Sequence, residues 1–325
     1  MGAGSLRVVF VTELTMPIRL RPRVLERPRD SVVVVTGGPP AGGGEYAQAA
    51  RDLAVAIGGA SVIAAVAGRR LAPELAGAGV VVPALAPGLL APLASLCDWL
   101  GIAYAGCSPR AATLATDPAL AAAVLQAAGI TVASGVAIDR CAARGMDYLD
   151  PVRIRSAGAP APHGHRIAAT AQQLRAGLAA ALAGGDQAWV EELVEGYAVS
   201  VPIVRTRTGD LLSGAAHDLA PGARFALDRP VAQSGAYVPA DLDARAQSRI
   251  QRAAEAAYRA LGLSGIASIE VVDDGDRSVV GMIDPAPVLT RSGLVVAQFA
   301  AIGLGPAELA AVLLSAARPG LRTAY

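Results

Sequence analysis

The 325-residue sequence contains no lysine and no asparagine, so every one of its 28 Lys-or-Arg positions is arginine. Without lysine there is no Walker A phosphate loop and no Schiff-base nucleophile. Aromatic residues make up only 4%, too few for a base-stacking platform. The formal net charge is +1, so no global field draws the chain onto nucleic acid. Cys97, Cys107 and Cys141 show no C-x-x-C spacing, and an odd count suits a reducing compartment better than a disulfide framework. Long apolar runs are missing as well. The longest charge-free stretch, between Glu74 and Asp98, is interrupted by Pro83, Pro87 and Pro92, which argues against a membrane span. A signal peptide places its charges ahead of a long apolar core. Here a short apolar run at 8–11 precedes Arg19, Arg21, Arg23, Arg27 and Arg29. The expectation is a cytoplasmic protein with neither nucleic acid nor membrane as partner.

What is present is 53% hydrophobic residues and 17% charge, enough for two or three packed units. After an Arg- and Pro-rich extension (1–30), strand signals at 31–35, 61–66, 80–83 and 102–105 alternate with helical periodicity at 45–57 and 90–100. Such alternation implies a parallel sheet with helices on its faces. A second unit from about residue 111 reads as a helix at 117–128, with Asp117 as N-cap, Pro118 at the first helical position and Gly129 as stop. Strands at 132–138 and 152–155, a helix at 171–182 and a strand at 188–193 follow. The third unit carries a strand at 199–205, an amphipathic helix at 241–261 and two antiparallel strands at 266–272 and 278–283 around the turn 273–276. A last helix is expected at 306–317.

Three segments, 104–134, 187–204 and 258–294, together resemble the D-alanine–D-alanine ligase branch of the ATP-grasp family. In the third, the family pattern E-V-N-P-N-P-G-M-T falls without a gap on residues Met282 to Thr290. The resemblance implies α/β and α+β units in an ATP-grasp fold with an N-terminal Rossmann-like (pre-ATP-grasp) subdomain. Its expected divisions are an extension 1–30, a Rossmann-like subdomain 31–110, a central subdomain 111–198 and a C-terminal subdomain 199–325. It also implies an ATP-dependent ligase joining a carboxylate to an amine, an amino-acid-like substrate, magnesium and a homodimer.

Carried over position by position, the resemblance assigns Glu270 to the metal-ligand strand and Asp284 to the place of the family's asparagine ligand. Met282 stands where the family has a second glutamate, and a soft thioether does not replace a carboxylate for Mg²⁺. Glu270 and Asp284 are therefore expected to hold one ion, the alternative being two solvated strand-end acids. Arg155 replaces a phosphate-contacting lysine, and Pro118 replaces the other. Glu191, Glu192, Leu193 and Val194 keep the shape of the adenine hinge, whereas Ala198 stands at the ribose acid. Around the substrate, Glu45 lies near the position of the family's first-amino-acid glutamate. Ser268 stands at an arginine, Thr290 and Ser292 belong to the substrate loop, and Gly293 takes a serine position. These replacements leave two functions open: a ligase with altered substrate, or a catalytically inactive pseudoenzyme that binds a small molecule or a protein.

Other patterns carry less. His163-Gly164-His165 lacks a third ligand for a metal. His217 and Asp218, adjacent on a strand, point to opposite faces. Gly42, Gly44 and Ala47 fit G-x-G-x-x-A, but six residues separate Val35 from Gly42, too many for the tight dinucleotide turn.

Overall fold

The run Val32, Val33, Val34 and Val35 is excluded from water on every side, the signature of a strand buried on both faces of a parallel sheet. A computed structural model places these residues in β1 (Val32–Gly37) and describes residues 32–37, 43–58, 61–64, 71–75, 77–147, 150–157, 165–183, 185–219 and 239–320. β1 pairs in parallel with β2 (Ser61–Ala64) and β3 (Val80–Leu85), and β3 with β4 (Ala103–Tyr104), in the order β2-β1-β3-β4. Helices α1 (Gly43–Ile57), α2 (Leu71–Leu75) and α3 (Leu90–Leu100) connect these strands. The arginines at 19–29, the loop holding His163 and Gly42 lie outside the described residues.

Two further helices, α4 (Pro109–Thr116) and α5 (Pro118–Ala127), lead to a second sheet. Ser108 caps α4 and Asp117 caps α5, each with proline at the first helical position. The second sheet is antiparallel, with order β5-β8-β6-β7: β5 (Gly135–Asp139), β6 (Val152–Ala157), β7 (His165–Ala168) and β8 (Gln187–Glu192). Helix α6 (Ala171–Ala183) covers one face with Leu174, Leu178, Ala181 and Leu182 against Ile138, Ile154 and Val190.

The third sheet is antiparallel too. β10 (Leu211–Ser213), β9 (Tyr197–Arg205), β12 (Ile266–Asp273) and β13 (Ser278–Asp284) follow in that order, with β11 (His217–Asp218) also on β9. Helix α7 (Ala244–Ala260) packs Ile250, Ala254, Ala257 and Tyr258 on its inner face, the spacing of one helical stripe. Short α8 (Leu294–Ala300) and α9 (Pro306–Ser315) are the last regular elements among the described residues, and α9 packs on α1.

Hydrophobic burial divides unevenly. One core runs from Val33 and Val81 of the first sheet through α3 and α4 to Val201, Ile269 and α7 of the third. Another joins the opposite face of the first sheet and α1 to α8 and α9. The second sheet and α6 have a core of their own.

Three differences from the sequence expectations have local causes. The strand expected from 132 begins at Gly135, because Val132 instead makes an isolated parallel bridge to Val280. The helix expected from 241 begins at Ala244, because the Asp243 carboxylate accepts the Ala246 N–H at 2.8 Å and caps the first turn. β7, α4 and α8 stand where no element is expected: each is short, or offers mostly alanine and no wide apolar stripe.

Candidate functional site

The polar faces of the second and third sheets meet in a seam. On β6, Arg153 and Arg155 are two residues apart and share the face opposite Ile154, which enters the core with α6. Register places Arg153 opposite Glu191 and Arg155 opposite Trp189 on β8. On β12, Ser268 and Glu270 share the face turned away from α7, since Ile269 and Val271 belong to the core on the other side. Asp284 is paired with Ser268 and joins that face from β13.

Four charged groups meet there. Arg153 donates from Nη2 to Glu270 Oε1 at 3.1 Å, and its Nη1 lies 3.6 Å from Glu191 Oε1. Arg155 donates to Glu191 Oε2 at 2.6 Å, and the Trp189 indole N–H donates to the same oxygen at 2.7 Å. Arg153 is 8% exposed, and Glu191 and Glu270 are 4% exposed. Burial pulls the Arg153 guanidinium down, but the Glu270 and Glu191 carboxylates outweigh it and hold the pKa above the ordinary value. Arg153 Nε, Arg155 Nε and Glu270 Oε2 are buried with no hydrogen-bond partner among the described residues.

A bulge shapes the Glu270 side of the seam. Ile269 pairs with Ile283 and Val271 with Val280, so one residue of β12, Glu270, faces two of β13, Gly281 and Met282. A Cβ on Gly281 would lie 3.1 Å from Glu270 Oε1. Half-buried Asp284 accepts the Ala286 N–H at 2.9 Å. Desolvation raises its pKa to about 6 despite that bond, which acts the other way. Tyr46 on α1 is near enough for Asp284 to add to the upward push that burial gives its phenol.

Glu270 and Asp284, expected to share a cation, stand on neighbouring strands of one face, and Glu270 Oε2 has no hydrogen-bond partner among the described residues. Glu270 Oε1 holds Arg153. Among the described residues, no three His, Cys, Asp or Glu side chains gather as a metal site. Met282, in the β13 bulge opposite Glu270, offers a thioether where Mg²⁺ wants oxygen ligands in near-octahedral order.

The remaining sequence candidates lie at the end of β8, on β11, β12 and α1, and in the connections from β8 to β9 and from β13 to α8. Glu192 is exposed and accepts the Ser134 N–H at 3.0 Å, and Leu193 and Val194 are half-buried in the connection from β8 to β9. In that connection Gly196, at φ 153° and with no room for a Cβ beside the Asp273 carbonyl, lets the chain turn. The Ser268 hydroxyl lies 2.6 Å from that of Ser200. Glu45 is exposed in the first turn of α1. Thr290 and exposed Ser292 lie in the connection to α8, where the Thr290 carbonyl accepts the Gly293 N–H at 2.8 Å. His217 and Asp218 are both buried, and Tyr197 donates to Asp218 at 2.8 Å. Sequence reasoning passes over Arg153. The signal available for it is the R-x-R alternation of β6 facing the acid of W-x-E on β8.

A parallel sheet joined to two antiparallel α+β lobes with a polar seam between them is the architecture of the ATP-grasp class. The structure of VanG D-Ala:D-Ser ligase from Enterococcus faecalis superimposes with a TM-score of 0.71 at 20% identity, covering 86% of this chain and 97% of that one. D-alanine–D-alanine ligase from Bacillus anthracis superimposes with a TM-score of 0.72 at 14% identity, covering 87% and 96%. In sequence, residues 135–315 match the family described as D-ala D-ala ligase C-terminus, and the chain belongs to that family. Relatives include D-alanine–D-alanine ligases from Chlorobaculum tepidum, 28% identical over 67% of this chain, and from Treponema pallidum, 30% identical over 69%. The matched part spans 63% and 60% of those relatives' lengths, under two thirds in each. No helix among the described residues is long and apolar enough to cross a membrane.

Proposed function

We propose that the protein is an ATP-dependent carboxylate–amine ligase of the D-alanine–D-alanine ligase type, acting on an altered, amino-acid-like or dipeptide-like substrate. In this reading residues 31–110, 111–198 and 199–325 are the N-terminal, central and C-terminal subdomains. ATP lies in the seam between the last two, its adenine beside Glu191, Glu192, Leu193 and Val194 and its phosphates toward Arg155. The amino-acid substrate lies toward Glu45, Ser268, Thr290 and Ser292. A carboxylate takes the terminal phosphoryl group, and an amine then displaces phosphate from the acyl phosphate. Asp284, raised to about 6, is the group of the seam able to exchange a proton near neutral pH. No step is routed through Mg²⁺.

The observation that supports this reading is the meeting of the two sheets through Arg153 and Glu270 at 3.1 Å, with Arg155 two residues from Arg153 on β6 and Asp284 opposite Ser268 on the strand neighbouring that of Glu270. The test is a thermal-shift series with ATP, with and without magnesium, followed by phosphate release with a panel of D- and L-amino acids. A rise in Tm with ATP and amino-acid-dependent phosphate release are expected, with both lowered in Arg155→Ala. No shift at millimolar ATP removes the reading.

One set of observations favours a second function. Met282 stands at a carboxylate position and Pro118 at a cation position, and the Arg153 and Arg155 guanidiniums are already held by Glu191 and Glu270. These suit a binding protein of the same fold without phosphoryl transfer. Its mark is a Tm rise with ATP and no phosphate release across the whole panel.

A further inference from the structure

At the centre of the seam, a carboxylate expected to serve a metal ion serves a guanidinium instead. Arg153 reaches Glu270 from one sheet to the other at 3.1 Å, with 8% and 4% of the two residues exposed. The β13 bulge packs against the same carboxylate: a Cβ on Gly281 would lie 3.1 Å from Oε1, the oxygen that holds Arg153, while Oε2 is buried with no partner among the described residues. Met282 completes that bulge with a thioether, a poor ligand for a hard divalent ion. A guanidinium cannot lose its proton here: it is charged in any ordinary buffer, and its acidic neighbours hold it so. Its Nε and that of Arg155, both buried, have no acceptor among the described residues. These are two donors of the kind that grip phosphate oxygens.

We infer that Arg153 is a built-in cation occupying the place at Glu270 that a divalent ion would need, so that the seam takes a nucleoside phosphate as its free anion, without a divalent cation. This rests on the reading of the seam as a nucleotide site. The consequence is a cleft whose charge is set by the chain itself, unaffected by chelators and by the concentration of free magnesium. Arg153 is a binding residue in this account. Glu270 is its positioning partner, and Met282 and Gly281 shape the pocket that shuts a metal out.

Two measurements on the full chain test it. Mn²⁺ is titrated into the protein and followed by electron paramagnetic resonance, for the wild type, Glu270→Gln and Arg153→Met/Met282→Glu. ATP affinity is then measured by calorimetry in EDTA and in millimolar MgCl₂. The wild type is expected to bind no Mn²⁺ below millimolar concentration, and its ATP affinity to change less than fivefold between the two buffers. The double variant, which removes the guanidinium and restores an acid, is expected to gain a Mn²⁺ site at least tenfold tighter than anything in the wild type. Micromolar Mn²⁺ binding by the wild type that disappears in Glu270→Gln overturns the inference, as does an ATP affinity that rises fivefold or more with magnesium. A double variant that folds, by circular dichroism, and still refuses Mn²⁺ overturns it too. Should that variant not fold, the wild-type titrations decide alone. If the wild type binds no ATP in either buffer, the nucleotide reading falls, and the Mn²⁺ titration still decides whether Arg153 excludes the metal.

Discussion

At Arg153 one guanidinium faces carboxylates from two different sheets, 3.1 Å from Glu270 and 3.6 Å from Glu191. Removing one member of a buried ion pair leaves the other charge unpaired, which costs about 3–5 kcal/mol, whereas removing both is close to neutral. Arg153→Met is therefore expected to lower the unfolding free energy by about 3 kcal/mol in urea titrations, and Arg153→Met/Glu270→Met to recover most of that loss. Asp284 gives a pH signature. Its folded-state pKa of about 6 lies above the ordinary 3.8, so the folded chain keeps a proton that the unfolded chain releases. Stability drawn from that proton is present below pH 3.8 and is lost as pH rises through 6. Asp284→Asn removes the loss. Its stability relative to the wild type should rise by about 2 kcal/mol between pH 4 and pH 7, measured as urea midpoints at the two values. A variant whose advantage stays flat with pH contradicts the assigned desolvation.

Elements show where sequence pattern reaches and where it stops. The two strands β12 and β13 are legible as strands: Ile269 and Val271 on one and Val280 and Ile283 on the other reach the same core on either side of an Asp-Gly turn, and they fold as the antiparallel pair that turn implies. The helix α7 is equally legible from its stripe of Ile250, Ala254, Ala257 and Tyr258. α4 is not, because its buried residues are Ala111, Ala112 and Ala115, too small to mark a face. Only Ser108 followed by Pro109 announces it. The family's strand pair at the seam can be read from Met282 to Thr290, yet the partner of Glu270 cannot. That contact joins residues 117 positions apart, and no local period encodes it. Within the second sheet, Gly135 leaves room for the Trp189 indole: a Cβ there would stand 2.4 Å from Cζ2 of the ring. Gly135→Ala is expected to displace the indole from Glu191, destabilise the fold by about 1–3 kcal/mol through overpacking and shift tryptophan emission to the red. The other tryptophan, Trp99, is 86% exposed, so an emission change reports on Trp189.

Across the whole molecule, two cores tie the first and third sheets together while the second sheet keeps its own. Ser264 donates to the Gly106 carbonyl at 2.8 Å and Cys107 to the Ser264 carbonyl at 3.1 Å, fastening the first sheet's exit to the third lobe. The three thiols report on this division. Cys97 and Cys107 are buried, and burial pushes them up to about 12 and about 11, so neither offers a thiolate in the folded state. Cys141 is exposed on the second lobe. Pulsed alkylation should therefore label one thiol per chain at once and the other two only on unfolding of the joined sheets. Early labelling of Cys97 would contradict the shared core.

The first sheet ends at β4, and its outer edge is met by Arg318, whose N–H and carbonyl exchange hydrogen bonds of 2.8 Å with Tyr104 while its guanidinium grips Asp98 at 2.6 Å. An uncovered strand edge is a template for strands of other molecules. Deleting residues 317–325 should therefore turn a well-behaved solution into one that grows turbid with concentration, read by light scattering. A few residues at one sheet's rim would thus act as a guard against self-adhesion.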